Sequence, residues 1–582
     1  MSEARSELRD GMRIEWDVPI RMDDGNVLRA DVFRPPAAGK FPVILTYGPY
    51  AKALHFEDLY GDQWRRMVEQ HPDVPAGSTN KYQNWEVVDP EKWVPDGYAI
   101  VRVDSRGAGR SPGFLDCWSA RETQDIYQCI EWAADQPWST GKIGMNGISY
   151  LAMNQWQVAS LQPPHLSAIC VWEGAADYYR DLAHHGGILC TFGRSWFPNQ
   201  VVKVQHGMGS RGFRSRMDGQ WVAGTETLPE EVLGANRSDF YDDCFKNSLA
   251  NDEYWRSRMP DWSKVKVPLL SAANWGGQGL HPRGNFEGFT RAASEQKWLE
   301  VHGLEHWTHF YTDYGVGLQK KFFGYFLKGE DTGWKSQPRV LLQIRHPGEK
   351  FVPRAEQEWP LGRTQWTKFY LDARDQTLTR EPAQREGAVT YPGLGEGVTF
   401  LSPPLPAETE ITGPIAAKLF VSSASTDADL FVVVRVFTPN LKELTFQGAL
   451  DPHTPIAQGW LRASHRKLDP ELTRPYRPYQ THDEKQPLQP GEIYELDVEV
   501  WPTCIVVPLG HRIALTVRGC DYEYPGGPGA GLGTLAPKFT GVGPFQHNDA
   551  RDRPPEIFGK DVTLHSGPGR PSHLLLPIIP KR

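Results

Sequence analysis

A chain of 582 residues is too long for one ordinary domain, and roughly two to four are expected. Its 21 Trp, 25 Phe and 21 Tyr, within a hydrophobic content of 39%, can fill large cores. The net charge of −8 is spread without long runs of one sign, which argues against a partner that is nucleic acid or an anionic membrane.

The first residues, MSEARSELRDGMRIEWD, are charged and lack the apolar core of a signal peptide. No apolar run approaches the roughly 20 residues of a membrane span. The 7 cysteines are odd in number, scattered and never spaced C-x-x-C, so reduced thiols in a cytoplasmic protein are expected. Residues 13 to 34 read as two strands around the Asp23-Asp24-Gly25-Asn26 turn. Phe41 to Thr46 is a short apolar strand followed by YGPYAK, and Tyr98 to Val103 is another. The loop after it, DSRGAGRSPG, holds a literal G-x-S-x-G at Gly109 to Gly113. Ser111 is a poor nucleophile there, because Pro112 has no N–H to offer an oxyanion and pushes Ser111 toward extended backbone. Arg121 to Asp135 has apolar residues at helical spacing and ends before Pro137.

Lys142 to Trp156, KIGMNGISYLAMNQW, runs from strand through a tight turn into helix, the outline of a nucleophile elbow. Ser149 is its candidate nucleophile. The backbone N–H of Tyr150, at the head of the helix, is a candidate oxyanion donor. His165 to Trp172 is the next strand; strands alternating with helices imply a parallel α/β sheet whose reactive groups gather at the C-terminal strand ends. Residues 177–262 turn polar and aromatic and read as a mostly helical cap, with His184, His185, Trp196, Phe197 and Trp221 as candidate pocket walls beside Trp172 and Trp275. The sheet resumes at Val267 to Ala273 and Trp298 to His302, and Leu318 to Leu327 closes it as a helix. This gives a catalytic domain of 1–176 and 263–336. From 337 to 582 the strands are short and turn-rich, and a jelly-roll domain is expected.

Several motifs together resemble one family: GPYAK (Gly48 to Lys52), VDSRGAGRSPG (Val103 to Gly113), IEWAADQPWSTGKIGMNGISY (Ile130 to Tyr150) and ITGPI…SSASTDADL. The chain is similar over nearly its whole length to the cocaine esterase / X-Pro dipeptidyl-peptidase group of serine hydrolases, the CocE/NonD family. The resemblance implies an α/β-hydrolase domain, an inserted helical cap, a C-terminal jelly roll, and hydrolysis of esters or amides through a serine acyl-enzyme with no cofactor. The family's elbow is G-x-S-Y-x-G, and here Ala152 replaces the last Gly. The hydroxyl of Tyr50 is implied as the second oxyanion donor.

A serine needs a base, and the base needs a carboxylate. Three histidines compete in VHGLEHWTH. His306 is preferred as nearest the turn after Gly303, His309 is second, and His302 lies within the strand. His302-x-x-Glu305-His306 is also a literal H-x-x-E-H, but zinc ligation needs both histidines on one helix face, and WLEV before it reads as strand. The family places an aspartate in a Trp-x-Asp-Gly context, whereas this chain has Asn274-Trp275-Gly276-Gly277. With no carboxylate there, Glu173, at the end of the strand after the elbow, is expected to be the acid; Asp177 and Glu287 are the alternatives. The expected substrate is a small ester or amide, with X-Pro peptides or amino-acid esters as the alternative and a catalytically silent binding protein as the rival from another class. Homo-oligomer formation stays open.

Overall fold

The computed structural model describes residues 5–527, 529–530 and 538–581. Eleven strands form one sheet. In chain order they are β1 (Arg5–Arg9), β2 (Met12–Arg21), β3 (Val27–Arg34), β4 (Phe41–Gly48), β5 (Ala99–Asp104), β6 (Ser139–Ile148), β7 (Leu166–Trp172), β8 (Leu269–Asn274), β9 (Lys297–His302), β10 (Val340–His346) and β11 (Lys350–Glu356). Their spatial order is β1-β2-β3-β5-β4-β6-β7-β8-β9-β10-β11. From β5 through β10 all neighbours are parallel, and antiparallel strands flank this core on both sides.

The parallel strands are near-continuous apolar runs because both faces are covered. AIVRVD of β5 is buried throughout, as is all but the start of FPVILTYG and LSAICVW. Helices Ala120–Ala134 and Tyr150–Ser160 pack on the sheet through residues such as Ile126, Ile130 and Trp156, all fully buried. The strand order reverses at β4, flanked by β5 on one side and β6 on the other, the topological switch where α/β sheets place their ligands.

The insertion between β7 and β8 departs from the expected helical cap. Its longest helix is the 7-residue Phe240–Lys246, and short turns, π and 3-10 segments and a tiny hairpin (His184–His185 with Ile188–Leu189) make up much of the rest. Aromatic packing holds it instead: Trp118, Trp196 and Phe240 form a stack with Tyr150. A second departure lies at residue 337, where a new domain was expected. Strands β10 and β11 continue the first sheet, because Leu299, Glu300 and Val301 of β9 pair in parallel with Val340, Leu341 and Leu342.

The C-terminal part is all-β. Its long strand Thr409–Ser423 pairs with Tyr494–Val507, Asp561–Ser566 and His573–Ile579. Leu419, Val432, Val498 and Leu515 lie in its own fully buried core. No described helix is long and apolar enough to cross a membrane. All seven cysteines are free thiols.

Candidate active site

Five neighbouring strands end at one place. β4 leads to Tyr50, β6 to Ser149, β7 to Glu173, β8 to Asn274, and β9 to the loop that carries His306. The elbow has the strain that its sequence implies. Ser149 has φ 58° and ψ −117°, a conformation rarely adopted by a residue with a side chain. The turn persists because its neighbours over-determine it. Ser149 N–H donates to the carbonyls of Trp172 and Glu173, both at 3.2 Å, and its own carbonyl accepts from Ala152 and Met153 at 2.9 and 2.7 Å. Gly147 leaves the room the bend needs, since a Cβ there would meet Leu151 Cβ at 2.7 Å. Ser149 stays partly exposed.

Glu173 is fully buried at the end of β7, also in left-handed backbone, with φ 47°. Its Oε2 accepts from His306 Nδ1 at 2.6 Å, and its Oε1 from His302 Nε2 at 3.0 Å and Asn274 Nδ2 at 3.1 Å. Burial pushes this carboxyl up, but the charge of His306 and the bonds from both imidazoles outweigh it and hold it well below the usual carboxylate range. Burial likewise opposes protonation of His306, and Glu173 and Glu86 reverse that, raising it to about 10. His302 is raised to about 9 against burial, chiefly by Glu300, whose Oε2 lies 2.7 Å from its Nδ1, and by Glu173.

The other nitrogen of His306, Nε2, lies 2.9 Å from Glu86 Oε1. Glu300, His302, Glu173, His306 and Glu86 therefore form one chain of alternating carboxylates and imidazoles. Among the described residues no hydrogen bond joins His306 Nε2 to Ser149. The two groups are nonetheless neighbours, because Ile148 N–H donates to the Glu86 carbonyl at 3.1 Å and Ser149 N–H to that of Glu173.

Around this chain stand the expected donors. Tyr50 is buried, its hydroxyl accepts from Trp196 Nε1 at 3.1 Å, and burial keeps it protonated, with a hydrogen left to donate. Tyr150 is the first residue of its helix, so its N–H has no partner within the helix. His281 stacks on His306 with centroids 5.3 Å apart.

The remaining candidates lie elsewhere. His309 Nδ1 faces Thr312 Oγ1 at 3.4 Å, its ring meets those of His302 and Tyr314, and burial pushes it down to about 3. Asp177 caps the segment Tyr178–Ala183 and pairs with Arg180 at 2.7 Å. Glu287, on the helix Pro282–Arg291, is buried and paired with Arg477. Trp275 and Trp172, expected as pocket walls, are core residues. Trp275 is 1% exposed against Phe286 and Trp359, and Trp172 is fully buried with its ring stacked on His302. Ser111 is fully buried, and its hydroxyl donates to the Asp104 carbonyl at 2.7 Å.

His302 ends a strand and His306 sits in a loop, so they share no helix face, and carboxylates of Glu300, Glu173 and Glu86 occupy all four of their ring nitrogens. The described residues that could hold a metal are the buried cluster His185, Cys190 and His547. There His185 Nδ1 and His547 Nε2 already pair with each other at 2.8 Å, and their other nitrogens face Asp181 O and Asp521 Oδ1.

The sequence reading missed Glu86, Glu300 and His302 as partners. Glu300 and His302 left a signal: charged residues two apart on an apolar strand share one face and must find partners there. Glu86, in an irregular loop, left none.

Residues 24–311 match the family model described as X-Pro dipeptidyl-peptidase (S15 family), and residues 332–575 that of the X-Pro dipeptidyl-peptidase C-terminal non-catalytic domain. Cocaine esterase of Rhodococcus sp. (strain MB1 Bresler) is 25% identical over 97% of this chain and 98% of its own. An aminopeptidase from a marine sediment Thaumarchaeota archaeon shares the fold at 15% identity and TM-score 0.67, with 99% of this chain and 96% of its own covered. A CocE/NonD family hydrolase from Staphylococcus aureus superposes at TM-score 0.82 and 32% identity, with 98% of this chain and 94% of its own covered. With a strained serine at the edge of an α/β sheet and this likeness along its whole length, the chain belongs to the CocE/NonD family and is a serine hydrolase.

Proposed function

We propose that this enzyme cleaves carboxylic esters through an acyl-enzyme on Ser149, with His306 as general base and Glu173 as the acid that orients it. The observation that carries this reading is the 2.6 Å contact between His306 Nδ1 and Glu173 Oε2, made from the strand next to the nucleophile's own. A carboxylate on Nδ1 fixes the tautomer that leaves Nε2 free to take the serine proton, and it stabilises the imidazolium that results. Ser149 Oγ then attacks the carbonyl carbon as its proton passes to Nε2. The tetrahedral oxyanion is met by the N–H of Tyr150 and the hydroxyl of Tyr50, donors each worth about 3–4 kcal/mol of barrier. The imidazolium protonates the leaving alcohol. Water, deprotonated by the same imidazole, releases the acid and restores the serine.

Esters are preferred over X-Pro peptides because a peptidase of that kind must hold an N-terminal ammonium with free carboxylates. Both oxygens of Glu173 already accept from imidazoles, and Glu86 already faces His306. The test is labelling by a fluorophosphonate probe together with hydrolysis of a p-nitrophenyl ester. Both are expected in the wild-type enzyme. Ser149→Ala should abolish the labelling and lower kcat by about four orders of magnitude or more. A Ser149→Ala enzyme that is labelled or turns over like wild type would defeat the proposal.

A further inference from the structure

The contact between His306 and Glu86 plays no part in the reaction just described and conflicts with it. Nε2 is the nitrogen that must accept the Ser149 proton, and Glu86 Oε1 lies 2.9 Å from it. One ring nitrogen points one lone pair, or one N–H, in one direction, so it cannot serve the serine and Glu86 together. With Glu173 on Nδ1 and Glu86 on Nε2, the ring has an acceptor at each end, the arrangement that suits an imidazolium. An imidazolium is not a base.

Glu86 is held in this position from several sides. Its backbone is left-handed, with φ 63°, and its carbonyl accepts from Ile148 in the elbow strand at 3.1 Å. In the same loop, the carbonyl of Asn84 accepts from the hydroxyl of Tyr311 at 3.2 Å and that of Gln83 from Phe56 N–H at 2.9 Å. The residue is 2% exposed, and its second oxygen, Oε2, is buried without a hydrogen-bond partner. A buried carboxylate with one free oxygen is costly, and a fold keeps one at a functional site more readily than in plain packing.

Resting on the serine-hydrolase reading above, we propose that Glu86 is a positioning residue that occupies the Nε2 direction of His306 at rest, and that acylation begins only when this contact gives way to Ser149 Oγ. The change is a proton transfer that balances within the pair. The Nε2 proton passes to a Glu86 oxygen, leaving a neutral imidazole and a neutral carboxylic acid, and the freed Nε2 lone pair turns to the serine.

Other groups bear on the same proton. Glu86 is faced by Glu173 from the end of β7, by Tyr50 from the end of β4, by Tyr60 from helix Phe56–Gln70, and by Tyr311 from helix Thr308–Tyr311. His306 is also faced by His281, which burial keeps neutral well below its ordinary range. Burial and the charge of Glu173 raise Glu86, and His306 draws it part of the way back, leaving it raised to about 7. The pair thus holds at least one proton through neutral pH, and that proton must leave Nε2 before the base can work. Removing the Glu86 charge takes away one of the two anions that favour the imidazolium, so His306 should become neutral at lower pH.

The experiment is kcat/KM for a p-nitrophenyl ester, and the rate of fluorophosphonate labelling, from about pH 5 to about pH 10 in the full-length wild type and Glu86→Gln. Glutamine keeps the shape and an acceptor oxygen but not the charge. The acid limb of both profiles should move down by about one to three pH units, so that at pH values below both midpoints Glu86→Gln outpaces wild type by about tenfold or more. An unmoved limb in a folded variant overturns the proposal. Should Glu86→Gln fail to fold, the His306 ring nitrogens of the wild type, read by nitrogen-15 NMR near neutral pH, decide it. Both protonated supports the proposal, and a neutral ring overturns it. Failure of the hydrolase reading itself is distinct, because it would show as activity and labelling that survive Ser149→Ala.

Discussion

Glu173 receives three hydrogen bonds from two strands and a loop, two from imidazoles and one from Asn274. That is why a carboxylate without solvent stays ionised at all. His306 and His302 are both raised above the ordinary 6.5, to about 10 and about 9, so their contribution to stability is complete below 6.5 and fades as pH rises through 9 to 10. Glu173 is depressed, so its contribution is complete above its ordinary 4.5 and fades only in strong acid. The wild-type Tm should therefore fall between about pH 6.5 and about pH 10, and Glu173→Gln should flatten that fall while lowering kcat about ten-thousandfold. Thermal melts across this range and p-nitrophenyl ester kinetics check the two halves separately. The contact of Glu173 with His306 could be anticipated from the sequence, because the elbow locates Ser149, the next apolar strand ends in a carboxylate, and Gly277 stands where the family resemblance places an aspartate. That of Glu86 could not, since no periodicity ties a loop residue to an imidazole 220 positions away.

At the scale of the element, the turn after Glu173 depends on the helix Pro282–Arg291 that packs on it. Asn285 Oδ1 accepts from Gly174 N–H at 3.0 Å, and His281 Nδ1 from Ala175 N–H at 3.2 Å. The approach is close enough that only glycine fits at position 284, where a Cβ would meet Ala176 N at 2.2 Å and Ala175 Cα at 2.6 Å. Gly284→Ala should lose about 1–3 kcal/mol of stability by overpacking. Because the displaced backbone carries Glu173, kcat should fall more than KM rises. Urea unfolding together with steady-state kinetics tests this, and an unchanged kcat would show that the turn yields without moving the carboxylate. The strands themselves were readable, from Phe41 to His302, as apolar runs punctuated by turns. The insertion between β7 and β8 was not, because short turns held by aromatic contacts have no period to read.

For the molecule as a whole, the all-β part does more than sit beside the sheet. The carbonyl of Ala449 accepts from His306 N–H at 3.0 Å, and Ala449 N–H donates to Gly276 O at 2.9 Å, so a loop of the C-terminal part holds the backbone of His306. Arg283, 2% exposed, ties all three parts: it donates to Asp181 of the insertion at 2.9 Å and to Glu499 of the all-β part at 2.9 and 3.0 Å. Arg283→Met should destabilise the protein by about 3–5 kcal/mol, because the buried Asp181 and the half-buried Glu499 both lose a partner. A Tm equal to wild type would show that water or another cation takes its place. The elbow, the parallel sheet and the family were set by local patterns in the chain: apolar runs, a strand-turn-helix around Ser149, and motifs of fixed spacing. Which nitrogen of His306 faces which carboxylate was settled only by the tertiary structure. That depends on where the ends of β7 and β9 and an unrelated loop meet, and on the need of buried charges for partners, wherever in the chain those partners lie.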